Sequence, residues 1–313
     1  MRVLFAGSPA IAVPSLESLL NIEGIELAGV LTNPDSPRGR HGTPVPTEVG
    51  EAAQKLNVFI IKSEKLDAAA REQVAALKPD LLVSFAYGRL FGPKFLALFP
   101  LGGINIHPSL LPKYRGPSPI QTAILNRDTV TGISIQTLAQ EMDSGDILAA
   151  EKLQLTGRET AGSLGGIAAV TAAQMLPGVL KKIAAGSASG TPQNHDLADY
   201  CRLFSKDDSS INWKESALDI DAKVRAFDPW PLCRTIHNGR ELLILKADVF
   251  KGDIEKTQSS PGLVLGTDKQ YGILIQTGSG VLAVTELQYQ AKKALFWRDF
   301  LNGARDFPGS QLG

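Results

Sequence analysis

Three side chains from two segments of the sequence have the types and spacing needed for chemistry on an acyl group. Asn105 and His107 stand two residues apart at the end of an apolar run, so on a strand both would point to the same face. Pro108 favours an extended backbone at His107. Asp143 follows a second apolar run, residues 133–138. Ligands of open α/β sheets bind at the carboxyl ends of strands, and we expect the three side chains to meet there.

An amide, an imidazole and a carboxylate are together suited to acyl transfer onto an amine. The attack builds an oxyanion, which a preorganised amide such as that of Asn105 stabilises by roughly 3 kcal/mol. The amine must also lose a proton, and His107 oriented by Asp143 suits that proton transfer. The residues alone leave a plainer interpretation open, in which Asn105 caps a turn and His107 lies in the core. Residues 143–146 would then form an ordinary turn.

Composition indicates a soluble globular chain. The 313 residues suffice for a large core and favour two domains. Lys plus Arg equals Asp plus Glu at 32 each, so there is no global positive field and any RNA contact must be a local patch. Cys201 and Cys233 are too few for a disulfide framework, and we expect free thiols and a cytoplasmic location. The apolar start breaks at Gly7, short of a signal peptide, and we expect neither a membrane-spanning segment nor a metal site.

Alternating apolar and amphipathic runs predict an N-terminal α/β domain with a mostly parallel sheet. Strands are predicted at residues 3–6, 27–32, 81–85 and 104–107, and helices at residues 9–20, 47–56, 64–77 and 161–183. A small, turn-rich segment, residues 189–205, is predicted to link a domain of residues 1–188 to one of residues 206–313. After a helix at residues 216–227, short alternating runs predict a smaller β-barrel, with strands at residues 242–249, 262–265, 273–276 and 281–287.

Several motifs of other enzyme classes do not occur. The first strand-to-helix turn, Phe5-Ala6-Gly7-Ser8-Pro9, lacks the G-x-G-x-x-G pattern that lets a backbone approach a pyrophosphate closely. No G-x-x-x-x-G-K-[ST] is present to bind a nucleotide phosphate, and no G-x-S-x-G marks a nucleophilic serine. A nicotinamide-dependent dehydrogenase, a nucleotide hydrolase and a serine hydrolase are therefore disfavoured.

The motifs that do occur resemble those of the folate-dependent formyltransferases, and the resemblance covers nearly the whole chain. The N-x-H and S-L-L-P motifs of that family stand as Asn105, His107 and residues 109–112, and its D-x-G-D motif stands as residues 143–146. Further segments are similar to the branch of the family that acts on tRNA: residues 5–9, 119–121, 205–206, 211–213, 227–231, 292–294 and 299–303. The resemblance implies a doubly wound formyltransferase fold followed by a C-terminal domain like the oligonucleotide-binding (OB) barrel.

The resemblance also implies roles for individual residues. Asn105, His107 and Asp143 carry over as the catalytic residues. Contacts to the folate carry over to four consecutive residues, Ser109, Leu110, Leu111 and Pro112, and residues 85–88 would line the same pocket. Four basic residues are candidates for contacts to tRNA: Arg38, Arg40, Lys292 and Lys293.

The activity implied by the resemblance is transfer of a formyl group from 10-formyltetrahydrofolate to the amino group of initiator methionyl-tRNA. The folate and the charged tRNA are the expected partners, with no membrane, no metal and no obligate protein partner. Three alternatives stay open. They are a nucleotide-sugar N-formyltransferase, which shares the N-x-H and S-L-L-P-K-Y-R-G motifs, a non-catalytic folate- or RNA-binding module, and the disfavoured dehydrogenase.

Overall fold

The computed structural model describes residues 1–38, 42–252 and 259–313. The chain divides into two compact units. The first comprises Met1–Pro119, Val130–Gln154 and Gly165–Arg202, and the second comprises Ile120–Thr129, Leu155–Leu164 and Leu203–Gly313. Residues 189–202, in the segment predicted as a linker, therefore group with the first unit.

A seven-stranded sheet forms the centre of the first unit. The strands and one separate hairpin are, in chain order, β1 Arg2–Gly7, β2 Glu26–Thr32, β3 Ser36–Arg38, β4 Thr43–Val45, β5 Ile60–Lys62, β6 Leu81–Phe85, β7 Gly103–His107, β8 Val130–Thr137 and β9 Ile147–Gln154. The sheet order is β5-β2-β1-β6-β7-β8-β9, and β3 pairs only with β4. The strands from β5 to β7 are parallel, whereas β8 and β9 are antiparallel to their neighbours. The predicted mostly parallel sheet is confirmed.

The central strands are buried along their length, which explains their continuous apolar sequence. Residues 3–6 of β1 are fully buried, and all five residues of β6 are buried. Strands covered on both faces need apolar side chains on both faces, so their sequence does not alternate. The core cluster that they join contains Leu4, Ala6, Leu31, Ile61, Val74, Leu82, Tyr87, Phe95 and Phe99.

The α-helices in the described residues are α1 Val13–Ser18, α2 Glu48–Lys55, α3 Ala68–Ala76, α4 Pro93–Leu96, α5 Pro119–Leu125, α6 Ala161–Ala184, α7 Ala217–Ala226 and α8 Trp297–Gly303. Five of these eight α-helices overlap predicted ones, and the other three, α4, α5 and α8, were not predicted. Side-chain caps set the start of three helices: Thr47 accepts from the Gly50 amide and Asp67 from the Ala70 amide, both at 3.0 Å, and Ser216 accepts from the Asp219 amide at 3.1 Å. Short 3₁₀ turns flank α1, at Ala10–Ala12 and Leu19–Asn21.

Helix α6 differs from the expectation that no segment reaches membrane-spanning length. Among the described residues it is the one helix long and apolar enough to cross a membrane by length and composition. A buried core helix meets the same criteria, and 44% of its most apolar window is buried inside the protein. Leu164, Ala168, Ala172, Leu176 and Leu180 form the buried side of the helix.

The second unit is built on an antiparallel sheet. Its strands are β10 Cys233–His237, β11 Arg240–Val249, β12 Val264–Asp268, β13 Gly272–Gln276, β14 Val281–Tyr289 and β15 Leu295–Phe296. They are ordered β10-β11-β14-β13-β12, and β15 pairs with β14. Helix α7 contributes Ala217, Ile220 and Val224 to the buried interior of this unit. The predicted separate C-terminal domain of antiparallel strands is confirmed.

Candidate active site

Strand β7 presents two of the predicted catalytic residues on one face. Asn105 and His107 lie two residues apart at its carboxyl end, and their antiparallel partners on β8 are Gln136 and Ser134. Partners opposite one another in a ladder share a face, so Gln136 lies beside Asn105. The His107 side chain is buried, with 5% of its surface exposed.

Asp143 reaches the same place by a route that the sequence did not predict. Because β8 is antiparallel to β7, the Leu138 amide bonds to Gly103 at the amino end of β7. The connection to β9 then folds back and brings the Asp143 carboxylate to Asn105 and His107. Asp143 adopts a left-handed backbone conformation, with φ of 53°, within this tight turn. The turn therefore positions a carboxylate away from the end of its own strand.

The Asp143 carboxylate joins the site residues. Its Oδ1 accepts from Gln136 Nε2 at 2.8 Å and from Asn105 Nδ2 at 3.3 Å. Its Oδ2 accepts from the Gly116 amide at 2.9 Å and lies 3.6 Å from His107 Nδ1. One carboxylate therefore contacts β7, β8 and the loop at Gly116.

The tautomer of neutral His107 follows from its other nitrogen. Nε2 lies 2.8 Å from the carbonyl oxygen of Tyr114, which can only accept, so Nε2 carries the proton. Nδ1 then presents a lone pair at 3.6 Å from Asp143. A proton taken up at Nδ1 would create an imidazolium directly beside a carboxylate. The free lone pair at Nδ1 is what a general base requires.

Arg115 and Gln193 extend the site behind Gln136. Gln193 Oε1 accepts from Arg115 Nε at 3.1 Å and from Nη2 at 2.7 Å. Gln193 Nε2 reaches the carbonyl oxygens of Asp143 at 2.9 Å and Gly145 at 2.6 Å, and Gln136 Oε1 at 3.2 Å. Sequence reasoning missed both glutamines. The polar Gln136 within an apolar run was the one signal available, and Gln193 gave none within its small, polar segment.

The four residues predicted to contact folate form a tight loop after β7. Ser109 is fully buried and its hydroxyl donates to the Lys113 carbonyl, while its own carbonyl accepts from Ser134 Oγ at 2.8 Å. Leu111 is also buried, and its amide donates to Ser134 Oγ at 3.1 Å. Leu110 and Pro112 are partly exposed. A ligand that contacts this loop would meet those two side chains and the backbone.

Residues 85–88, predicted to line the folate pocket, contribute largely to the core. Tyr87 is 2% exposed, and its ring stacks on Phe91 with centroids 5.4 Å apart. Burial raises the pKa of Tyr87, and the nearby Arg89 opposes that rise. Ala86 and Gly88 are exposed and have positive φ angles of 51° and 81°. The backbone at these two positions is the part open to a ligand.

The candidate tRNA contacts are spread over the chain. Arg40 lies outside the described residues, and Arg38 ends β3, opposite Thr43 in the hairpin. Lys292 and Lys293 are exposed in the turn between β14 and β15. These residues stay predictions as tRNA contacts.

A cavity lies away from the predicted trio, and its lining offers no comparable chemistry. It has a volume of about 610 Å³ and is lined entirely by residues of the second unit, among them Arg127, Arg158, Asp221, Arg225 and Asp248. Its cations and anions pair with each other, as in Arg158–Asp248 at 3.1 Å and Arg225–Asp221 at 2.9 Å. Across the described ranges no group of three His, Cys, Asp or Glu side chains could hold a metal ion.

Comparison with known proteins agrees with this geometry. Residues 1–180 match the family model "Formyl transferase", and residues 204–305 match "Formyl transferase, C-terminal domain". The methionyl-tRNA formyltransferase of Treponema denticola is 46% identical over 98% of this chain and 98% of its own length. The methionyl-tRNA formyltransferase of Treponema pallidum is 41% identical over 100% of this chain and 99% of its own.

A solved structure shares the fold at lower identity. WlaRD, a sugar 3N-formyl transferase solved in the presence of dTDP and 5-N-formyl-THF, superposes with a TM-score of 0.66. It is 20% identical and covers 94% of this chain and 99% of its own, a likeness that shows the fold alone. The identity over full length and the two family-model matches go further: the chain belongs to the formyltransferase family of enzymes, and within it to the methionyl-tRNA formyltransferases.

Proposed function

We propose that this enzyme transfers the formyl group of 10-formyltetrahydrofolate to the amino group of initiator methionyl-tRNA, giving formylmethionyl-tRNA and tetrahydrofolate. The observation that carries the proposal is that the side chains of Asn105 and His107 both lie next to the Asp143 carboxylate. Full-length identity of 46% to a methionyl-tRNA formyltransferase supports the choice of acceptor. The sugar alternative is supported by shared motifs and by a shared fold at 20% identity.

In the proposed reaction, the amine attacks the formyl carbon and an oxyanion develops on the formyl oxygen. A side-chain amide carries two N–H donors, and the Asn105 amide donates one of them to Asp143. The second donor stabilises the oxyanion, a contribution of about 3 kcal/mol when the group is preorganised. Fixing the Asn105 amide through Asp143 supplies that preorganisation.

His107 and Asp143 manage the proton of the amine. The lone pair on His107 Nδ1 takes the proton released as the amine attacks, directly or through one water. The Asp143 carboxylate, 3.6 Å away, stabilises the imidazolium that results. The proton then passes to the departing folate nitrogen, so the enzyme returns to its starting state.

The substrates are proposed to divide between the two parts of the chain. Residues 1–188 would carry catalysis and the folate contacts at Ser109, Leu110, Leu111 and Pro112. Residues 206–313 would bind tRNA, with further contacts from Arg38 and Arg40. Lys292 and Lys293 are exposed and their charge suits phosphate contacts. We place the protein in the cytoplasm, because its two cysteines are free thiols and its proposed acceptor is a charged tRNA.

A comparison of acceptors tests the proposal. Purified protein is mixed with 10-formyltetrahydrofolate and with charged initiator methionyl-tRNA, uncharged tRNA or a nucleotide-linked amino sugar, at a stated salt concentration. We expect formylation of the charged tRNA alone. Formylation of the sugar would keep the catalytic residues and overturn the acceptor, and folate binding without any transfer would overturn the enzymatic function.

A further inference from the structure

A chain of side-chain amides connects a buried arginine to the Asp143 carboxylate. Arg115 is 1% exposed, and the acceptors around its guanidinium in the described part of the chain are Gln193 Oε1, Tyr200 OH at 3.1 Å and His195 Nδ1 at 3.2 Å, none of them a carboxylate. A guanidinium keeps its charge and can only donate. Gln193 must therefore turn its oxygen towards Arg115 and its two N–H groups the other way.

That orientation fixes the next amide as well. Gln193 Nε2 faces Gln136 Oε1 at 3.2 Å, so Gln136 turns its own N–H group towards Asp143 Oδ1 at 2.8 Å. Each member accepts from the residue behind it and donates to the residue ahead. The direction of every hydrogen bond in the chain thus originates at Arg115.

The same glutamine also holds the turn from which Asp143 projects. Gln193 Nε2 lies 2.9 Å from the carbonyl oxygen of Asp143 and 2.6 Å from that of Gly145. The segment is fastened beside the turn by paired backbone bonds of 2.9 Å between Thr191 and Ile147. A non-glycine residue with a φ of 53° needs such surroundings to hold its conformation.

We propose that Gln193 is a positioning residue for formyl transfer, and that Arg115 sets the direction of the hydrogen bonds through which it acts. The inference rests on the proposed catalytic role of Asp143. Gln193 contacts the turn and Gln136. It acts on the reaction only by holding the Asp143 carboxylate in place and by directing the Gln136 N–H group towards it. The segment predicted from composition as a linker is accordingly part of the machinery around the active site.

Loss of these donors leaves the Asp143 carboxylate less firmly held. Without them the carbonyl oxygens of Asp143 and Gly145 lose their contact to Gln193, and Gln136 loses the partner that directs its N–H group to Asp143 Oδ1. The carboxylate is then free to turn away from Asn105 and His107, so we expect the chemical step to slow.

Two variants that both remove the N–H groups of Gln193, one with an added charge and one without, test the inference. Gln193→Glu keeps an acceptor for Arg115 and loses both N–H groups. Gln193→Met also loses both N–H groups, but adds no charge. Gln73→Glu, on the exposed surface of α3, is the matched control for the added charge.

The measurements are kcat and KM for methionyl-tRNA, and hydrogen–deuterium exchange of residues 143–147. For both Gln193 variants we expect kcat lower by about ten- to a hundredfold with KM changed less than about threefold. We also expect faster exchange of the turn. The control should match the unmodified enzyme.

The outcomes separate this inference from the proposed function. Unchanged exchange in both variants, or faster exchange with kcat unaltered, overturns the positioning role. If the unmodified protein formylates a sugar and not the tRNA, the proposed acceptor is wrong. The kcat, KM and exchange of the Gln193 variants are then measured with the sugar as acceptor. If it formylates nothing, the proposed function fails, and the positioning role for formyl transfer falls with it even where exchange is faster.

Discussion

Replacement of Gly145 by alanine should disturb the active-site turn more than any other single methyl group. A Cβ at Gly145 would lie 1.8 Å from the carbonyl oxygen of Thr137 and 2.7 Å from its hydroxyl. Both are below the 3.0 Å that real Cβ atoms observe, and the first obstacle is backbone, which cannot rotate away. The turn or the end of β8 must therefore move by roughly 1 Å.

Three hydrogen bonds depend on that close approach. Thr137 N donates to Asp146 O at 3.0 Å, Asp146 N donates to Thr137 Oγ1 at 2.9 Å, and Gln193 Nε2 donates to Gly145 O at 2.6 Å. At about 1 kcal/mol each, their loss lowers the free energy of unfolding by about 3 kcal/mol. For a unit of this size that corresponds to a fall in Tm of roughly 6–12 °C. A displacement of Asp143 by about 1 Å should also lower kcat by about a hundredfold.

The assay combines thermal unfolding with single-turnover formylation. Gly166→Ala, in α6, is the matched control, because nothing lies within 4 Å of its added Cβ and alanine favours a helix by up to about 1 kcal/mol. We expect the control to equal or exceed the unmodified protein in Tm and to keep its kcat. Gly145→Ala with an unchanged Tm and an unchanged kcat would refute the steric argument and the dependence of catalysis on this turn.

Two further predictions concern the second unit. Burial raises the pKa of the Cys233 thiol to about 12, so we expect no labelling of Cys233 by a thiol reagent at pH 8 until the protein is unfolded. Rapid labelling of Cys233 in the folded protein, mapped by mass spectrometry, would contradict this. Burial lowers the pKa of His237; the charge of Asp306 partly offsets this effect, and that of Arg240 adds to it. The buried Nε2 atom of His237 has no hydrogen-bond partner among the described residues. The unfolded state then binds more protons than the folded state just below about pH 6.5, so stability should fall as pH falls through that window. Urea unfolding between pH 5 and 7.5 should show this loss, and His237→Phe should reduce it; an equal loss in both proteins would reject the assignment.

The parallel strands could be predicted because burial on both faces leaves a direct mark on the sequence. The predicted strand at residues 81–85 matches β6, and those at residues 3–6 and 104–107 fall short of β1 and β7 only at their ends. Strand β9 was not predicted. Its residues are mostly exposed or half-buried, and they neither form an apolar run nor alternate cleanly.

The sequence predicted the three proposed catalytic residues, but it did not predict how the fold brings them together. Asn105 and His107 share a strand, so their spacing alone predicts a common face. The path of Asp143 depends on β8 being antiparallel, which local sequence does not encode. The role of Gln193 depends on tertiary hydrogen bonds to Asp143 and Gly145, and a small, polar composition predicts only a lack of helix or strand.

Asn105, His107 and Asp143 are proposed to carry out formyl transfer together. The rate of the chemical step in the Asn105→Ala variant tests this role most directly. Single-turnover transfer from 10-formyltetrahydrofolate to methionyl-tRNA is measured beside binding of both substrates, with the exposed Asn21→Ala as control. We predict a transfer rate lower by about 10²–10³-fold, with both dissociation constants within about threefold of the unmodified enzyme. A folded Asn105→Ala protein that transfers the formyl group at the unmodified rate would contradict the account.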